Sequence, residues 1–222
     1  CIGCDQPGRW HCYDVWQHTA TAVGALNLQG LEEREAQMLR WAAFLHDLAK
    51  PLCRTVAADG AVHFYGHNQR GARLARDILR RLRASNALVQ GVSGLVAIHD
   101  APLPQGDPAT LRALGQYGAA FLRRLCRPKY ADLDAHAQNE AVLARRREVE
   151  AFEERMSYLA VHGCYAVGML QVNGGDVMEH GVRPGPMVGQ VLHQLLQAVM
   201  EGRLPNDREA LLEALDERQR RK

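Results

Sequence analysis

Apolar residues recur every three to four positions through most of this chain, and no segment alternates apolar with polar over the length of a strand. That periodicity predicts helices packed on helices. Val15, Ala22, Val23 and Leu26 mark a first helix between Tyr13 and Leu28, with Gly30 just past its end. Met38, Leu39, Ala42, Leu45 and Leu48 form one stripe of a second, from Glu33 to Ala49, which Pro51 ends. Further helices are predicted over 68–83 and 87–99. After the Pro-rich linker of residues 101–108 come helices near 109–116, 117–126 and 129–161, then 187–200 and a last one opened by Asp207. Asp59-Gly60, flanked by Val56, Val62, Phe64 and Tyr65, marks a small hairpin or an ordered loop. The expectation is an all-α fold with one small hairpin at most and no internal repeat. It divides into residues 1–135 and a helical C-terminal extension, 136–222.

Composition narrows the class without deciding it. Apolar residues are 47% and charged residues 23% of the 222, which suits a globular chain long enough to bury a core without disulfides. The six cysteines have no disulfide spacing, and Cys1-x-x-Cys4 is half of a zinc ribbon with no second half. No signal peptide and no membrane-length apolar run is present, so the expectation is a cytoplasmic protein with no membrane partner. The chain opens on Cys rather than Met, as a piece of a longer protein would. A net charge of +2 does not announce a nucleic-acid binder. Arginines nevertheless cluster at Arg73, Arg76, Arg80, Arg81 and Arg83, and again at Arg145, Arg146 and Arg147. Such runs are either solvated helix faces or phosphate-binding surfaces.

The chemistry concentrates in histidines and aspartates at successive helix ends. His46-Asp47 stands in Phe44-Leu-His-Asp-Leu-Ala-Lys50, near the end of an apolar helix. A buried His and Asp are costly unless bonded, paired or bound to metal. Neighbours on a helix point about 100° apart, so the two can grip one ion from two sides. His18 lies on the preceding helix, where His11 or Asp14 can join it; His67 opens the next, His99 ends the one after, and Asp132 stands in Lys129-Tyr-Ala-Asp132. One ion is expected on His18, His46, Asp47 and Asp132, and a second on Asp47, His67 and His99. Such ligands suit Mn, Ni, Mg, Fe, Co or Zn, and sequence does not choose among them. His63, His136, His162, His180 and His193 lack partners at ligand spacing.

The series His18, His46-Asp47, Asp132 resembles the signature of HD-domain phosphohydrolases, and His67 and His99 resemble the variant that holds two metals. The wording His11-Cys-Tyr-Asp-Val-Trp-Gln-His18, His46-Asp-Leu-Ala-Lys-Pro51, Phe64-Tyr-Gly-His67 and Lys129-Tyr-Ala-Asp132 is closer still to one branch. It resembles the C-terminal half of bacterial CCA-adding tRNA nucleotidyltransferases and poly(A) polymerases. Gly174-Gly-Asp176 and Gly181-Val-Arg-Pro-Gly-Pro186-Met-Val-Gly189 resemble that family's RNA-binding part. The family's polymerase head has no counterpart in this sequence.

The resemblance implies metal-dependent hydrolysis of phosphomonoesters or 2′,3′-cyclic phosphodiesters of nucleotides or RNA ends. His46 and Asp47 would be at its centre. Lys50, one turn beyond His46, is a candidate to meet a phosphate oxygen, and Arg70, three residues after His67, is a weaker one. The alternative is a non-catalytic tRNA-binding module whose nucleotidyltransferase head lies elsewhere.

Overall fold

The computed structural model describes residues 1–6 and 13–220. It is all-α apart from one two-stranded hairpin. His11, with Trp10 and Cys12, lies outside the described residues. Among the described residues no helix is long and apolar enough to cross a membrane, and no disulfide joins their cysteines.

The chain packs as two compact units, each made of two separate stretches. The first takes Cys1–Leu103 with Arg123–Ala151, the second Pro104–Leu122 with Phe152–Lys222.

In the first unit, α1 (Val15–Gly24) starts where the Asp14 carboxylate accepts from the Gln17 N–H at 2.7 Å. Helix α2 (Glu33–Leu45) follows and packs against α1. The sequence predicts this helix running on to Ala49, but it stops at Leu45 and turns through residues 46–49 into the short α3 (Lys50–Cys53). Pro51 supplies the reason: its ring collides with a helical carbonyl four residues earlier, at Asp47. Tighter three-residue bonds replace the α-helical ladder, Leu48 N–H to Leu45 O and Lys50 N–H to Asp47 O.

The hairpin pairs β1 (Thr55–Val56) with β2 (Val62–His63), antiparallel, Thr55 opposite His63. Gly66, in the left-handed region at φ 74°, then turns the chain into α4 (His67–Arg81). Helix α5 (Asn86–Ile98) is capped by Ser85 and packs along α4 and α2. Gly71 of α4 sits against α5 and the turn after α2, where a Cβ would lie at ordinary contact distance, 3.4 Å from Val96 Cγ1 and 3.5 Å from the His46 carbonyl. Leu39, Leu45, Ala75, Leu79, Val92, Leu95 and Val96 fill this core.

Helix α6 (Gly106–Tyr117) lies in the second unit. The division between the units then falls inside α7 (Ala119–Asp134) and again inside α8 (Glu140–His162). Here too the sequence expectation is corrected. The helix runs through Pro128 to Asp134, and the break comes at residues 135–139. Asn139 opens α8, its side chain accepting from the Val142 N–H at 3.1 Å.

The second unit continues with a 3-10 turn (Val167–Met169), α9 (Gly174–Glu179), α10 (Pro186–Met200) and α11 (Arg208–Arg220). Val177, Val191, Leu195, Leu211 and Leu215 are among its core residues. Gly174-Gly175 lies inside α9, because Asn173 and Asp176 form a capping box at its start.

Asp176 is buried and accepts from Arg208 Nη2 at 2.5 Å and from the Asn173 N–H at 2.8 Å. The Arg208 guanidinium and that N–H hold its carboxyl below the ordinary 3.8. A carboxyl depressed in the folded state stabilises at pH values above 3.8, the value it takes when unfolded. That contribution is lost as pH falls through the lower folded value. We predict that Asp176→Asn lowers the urea midpoint at neutral pH and flattens its decline below pH 3.8. Parallel wild-type and variant pH profiles would contradict this.

Candidate metal centre

Four helix ends and one turn deliver the site. His18 comes from α1, His46 and Asp47 from the turn after α2, His67 from the first position of α4, His99 from the end of α5, and Asp132 from the last turn of α7. His18, His46, Asp47 and His67 are buried. Asp132 keeps about a third of its side chain (33%) exposed.

The imidazoles share one device. Each directs Nδ1 at a backbone carbonyl: His18 at Ala135, His46 at Ala43 at 2.7 Å, His67 at Phe64 and His99 at Val96, both at 2.8 Å. A carbonyl only accepts, so Nδ1 of each ring donates outward and Nε2 is turned inward. The inward atoms meet other acceptors. His18 Nε2 lies 2.8 Å from Asp132 Oδ1, and His67 Nε2 lies 3.2 Å from His99 Nε2. Such contacts call for a cation, a proton or a metal ion, between them. His46 Nε2 and both Asp47 oxygens are buried without a partner in hydrogen-bonding geometry, although Lys50 Nζ approaches Asp47 Oδ2 to 2.7 Å. Burial opposes charge on His46, but Asp47 and Asp132 outweigh it and lift the ring to about 10. Burial likewise pushes the Asp47 carboxyl up; His46 and Lys50 outweigh it and hold it well below the usual range.

Two groups of three residues could each hold an ion, with ligand atoms within 4.8 Å of one another: His18, His46 and Asp132, and Asp47, His67 and His99. Asp47 reaches both. Its Oδ2 is 3.1 Å from His46 Nε2, while its Oδ1 is 3.5 Å from His67 and 3.6 Å from His99. The donor set, imidazoles with carboxylates around unpartnered buried atoms, fits one or two divalent transition ions.

A cavity of about 560 Å³ opens over Asp47, His67, His99 and Asp132. Lys50 lines it, buried between Asp47 and the Gln6 side chain, which accepts from Nζ at 2.5 Å. Arg70 is not brought in, because its guanidinium donates to the Leu52 carbonyl. Asp134 is also turned away, paired with Arg146. Asp14 serves as the α1 cap.

Sequence reasoning missed His136, Lys129, Arg145 and Tyr65, all of which line the cavity. His136 packs against the His18 ring at 4.9 Å and donates from Nδ1 to the Asp132 carbonyl at 2.6 Å. Its spacing of four from Asp132 was the available signal. Lys129 donates to the His99 and Ala101 carbonyls, a contact with no signature in sequence.

Comparison with known proteins fixes the family. The model of the family described as tRNA nucleotidyltransferase domain 2 matches residues 68–215. The chain belongs to that family. It is 34% identical over 209 residues to the A-adding tRNA nucleotidyltransferase of Deinococcus radiodurans, covering 91% of this chain and 46% of that protein. It is also 34% identical over 211 residues to the CC-adding tRNA nucleotidyltransferase of Thermus thermophilus, covering 94% and 46%. A shorter match, 48% over 50 residues, links it to the CCA-adding enzyme of Limosilactobacillus fermentum, covering 22% of this chain and 12% of that protein. The chain thus spans about half the length of the first two relatives. The family match includes His99 and Asp132 and begins one residue after His67.

Two ligand groups joined through one carboxylate predict an unequal response to truncation. Asp47→Ala should abolish manganese uptake, while His46→Ala or His99→Ala should leave at most one ion per chain. Elemental analysis reads the stoichiometry, and circular dichroism should report unchanged helicity. An ion count unaffected by Asp47→Ala would contradict the assignment.

Proposed function

We propose that this chain is a metal-dependent phosphohydrolase domain acting on phosphomonoesters or 2′,3′-cyclic phosphodiesters of nucleotides or RNA ends. The observation that carries this reading is the convergence of four imidazole Nε2 atoms with the Asp47 and Asp132 carboxylates, beside an open cavity lined by Asp47, His67, His99 and Asp132. The first ion would be held by His18, His46, Asp132 and Asp47, and the second by Asp47, His67 and His99. A divalent ion in such a site acidifies water near neutral pH and offsets charge on phosphoryl oxygens.

The chain's own residues do the rest. The backbone carbonyls of Ala43, Phe64 and Val96 fix the tautomer and angle of three of the rings. Lys50 orients Asp47 and adds positive charge beside it. Lys129, held by the His99 and Ala101 carbonyls, and Arg145, paired with Glu148, place basic groups on the cavity wall.

The expected result is turnover of 2′,3′-cyclic AMP that needs added Mn²⁺, Ni²⁺ or Mg²⁺, stops with chelator, and falls to background in His46→Ala. Turnover that persists through chelation would contradict the proposal.

Family membership favours a second reading, in which the chain is the tRNA-binding half of a nucleotidyltransferase and its metal site does no chemistry. The basic face of α4 supports a role in binding RNA. Arg73, Arg76 and Arg80 recur at three- and four-residue spacing on it and are exposed. The first two line an open groove of about 410 Å³ with Gln69 and Gln90. A side chain that neutralises one phosphate contributes about 0.9 to the slope of log affinity against log salt. Arg73→Glu with Arg76→Glu should therefore reduce that slope for tRNA by roughly two, measured by fluorescence anisotropy. An unchanged slope would exclude this face.

A further inference from the structure

The hairpin leading to His67 presents its aromatic residues in an unusual way. Phe64 faces the metal centre, its ring centroid 5.6 Å from Lys50 Nζ. His63 and Tyr65 instead stack on each other, with centroids 4.9 Å apart and planes 16° apart. Tyr65 is 76% exposed, one of the most exposed large side chains of the chain. His63 covers one face of the phenol ring, and that exposure leaves the other open. Both rings line the cavity that opens over Asp47, His67 and His99.

An aromatic ring already stacked on a neighbour gives up little freedom when a further flat group stacks on it. Nucleobases are such groups, and every base offers a π-face. Position agrees with this. Tyr65 is two residues from His67, so their Cα atoms lie within about 7 Å. That is the scale of the reach from a phosphate across a ribose to its base. The cavity, about 560 Å³, is in the range that holds small ligands. The wall also carries Lys129 and Arg145, the latter 3.0 Å from Glu148.

We infer that the His63–Tyr65 ring pair is the platform for the base of a nucleotide whose phosphate lies at the histidine–aspartate centre. The inference rests on the phosphoester reading above and deepens it: the ligand is a nucleotide, selected by its base as well as its phosphate. The platform is indifferent to which base it holds, because stacking carries no hydrogen-bond readout.

The test compares AMP with ribose 5-phosphate by isothermal titration calorimetry on the manganese-loaded chain. The two share the phosphate and sugar and differ only in the base. AMP should bind about tenfold more tightly, the scale of one stacked base. Tyr65→Ala should erase that preference while ribose 5-phosphate binds as before, and Tyr65→Phe should keep it, since the ring and not the hydroxyl acts. Tyr65 is exposed, so its truncation leaves the core intact. Equal affinities in the wild type, or a preference that survives Tyr65→Ala, would overturn the platform and leave the phosphate site standing. Failure of both ligands to bind would overturn the platform together with the phosphoester reading.

Discussion

The centre of this fold is a set of acceptors held together against their own repulsion. Four imidazole nitrogens and two carboxylates share a small buried space, and each ring is turned there by a backbone carbonyl on its far side. Buried carboxylates and lone pairs without partners cost several kcal/mol. In the protein alone, Lys50 and a proton drawn to His46 relieve part of that cost. A divalent ion relieves it more fully, since it meets several acceptors at once. Metal affinity in such a site is therefore partly stored in the fold.

The surrounding helices can be understood by what they hold in place. Pro51 ends the α-helical ladder of α2 just before His46 and Asp47, which follow it in the turn of residues 46–49. Gly66, in a left-handed conformation, swings the hairpin into α4 so that His67 becomes its first residue. The 135–139 break leaves Ala135 beside the His18 ring and His136 on the cavity wall. None of these positions is a candidate ligand, yet each lies beside one.

Much of this was legible in the sequence because the ligand types are chemically unusual in apolar helices. His46-Asp47 within Phe44-Leu-His-Asp-Leu-Ala required an explanation, and the helix periodicity gave most element bounds to within a few residues. What could not be read were contacts across the chain. Lys129 reaching the His99 and Ala101 carbonyls, and Gln6 clasping Lys50, join residues far apart in sequence. Arg70 shows the converse: its spacing from His67 suggested the site, but a nearby carbonyl at Leu52 captured its guanidinium. The helix through Pro128 was missed because a proline inside a helix is tolerated where surrounding packing holds the backbone. The interleaving of two stretches in each compact unit is likewise invisible to local pattern.

The central claim is that the converging nitrogens and carboxylates form a metal centre. Anomalous diffraction from crystals grown with Mn²⁺ tests it most directly. Strong peaks are expected at the centre, one within His18, His46 and Asp132 and another within Asp47, His67 and His99. Manganese peaks only elsewhere on the molecule, or none at all, would contradict it.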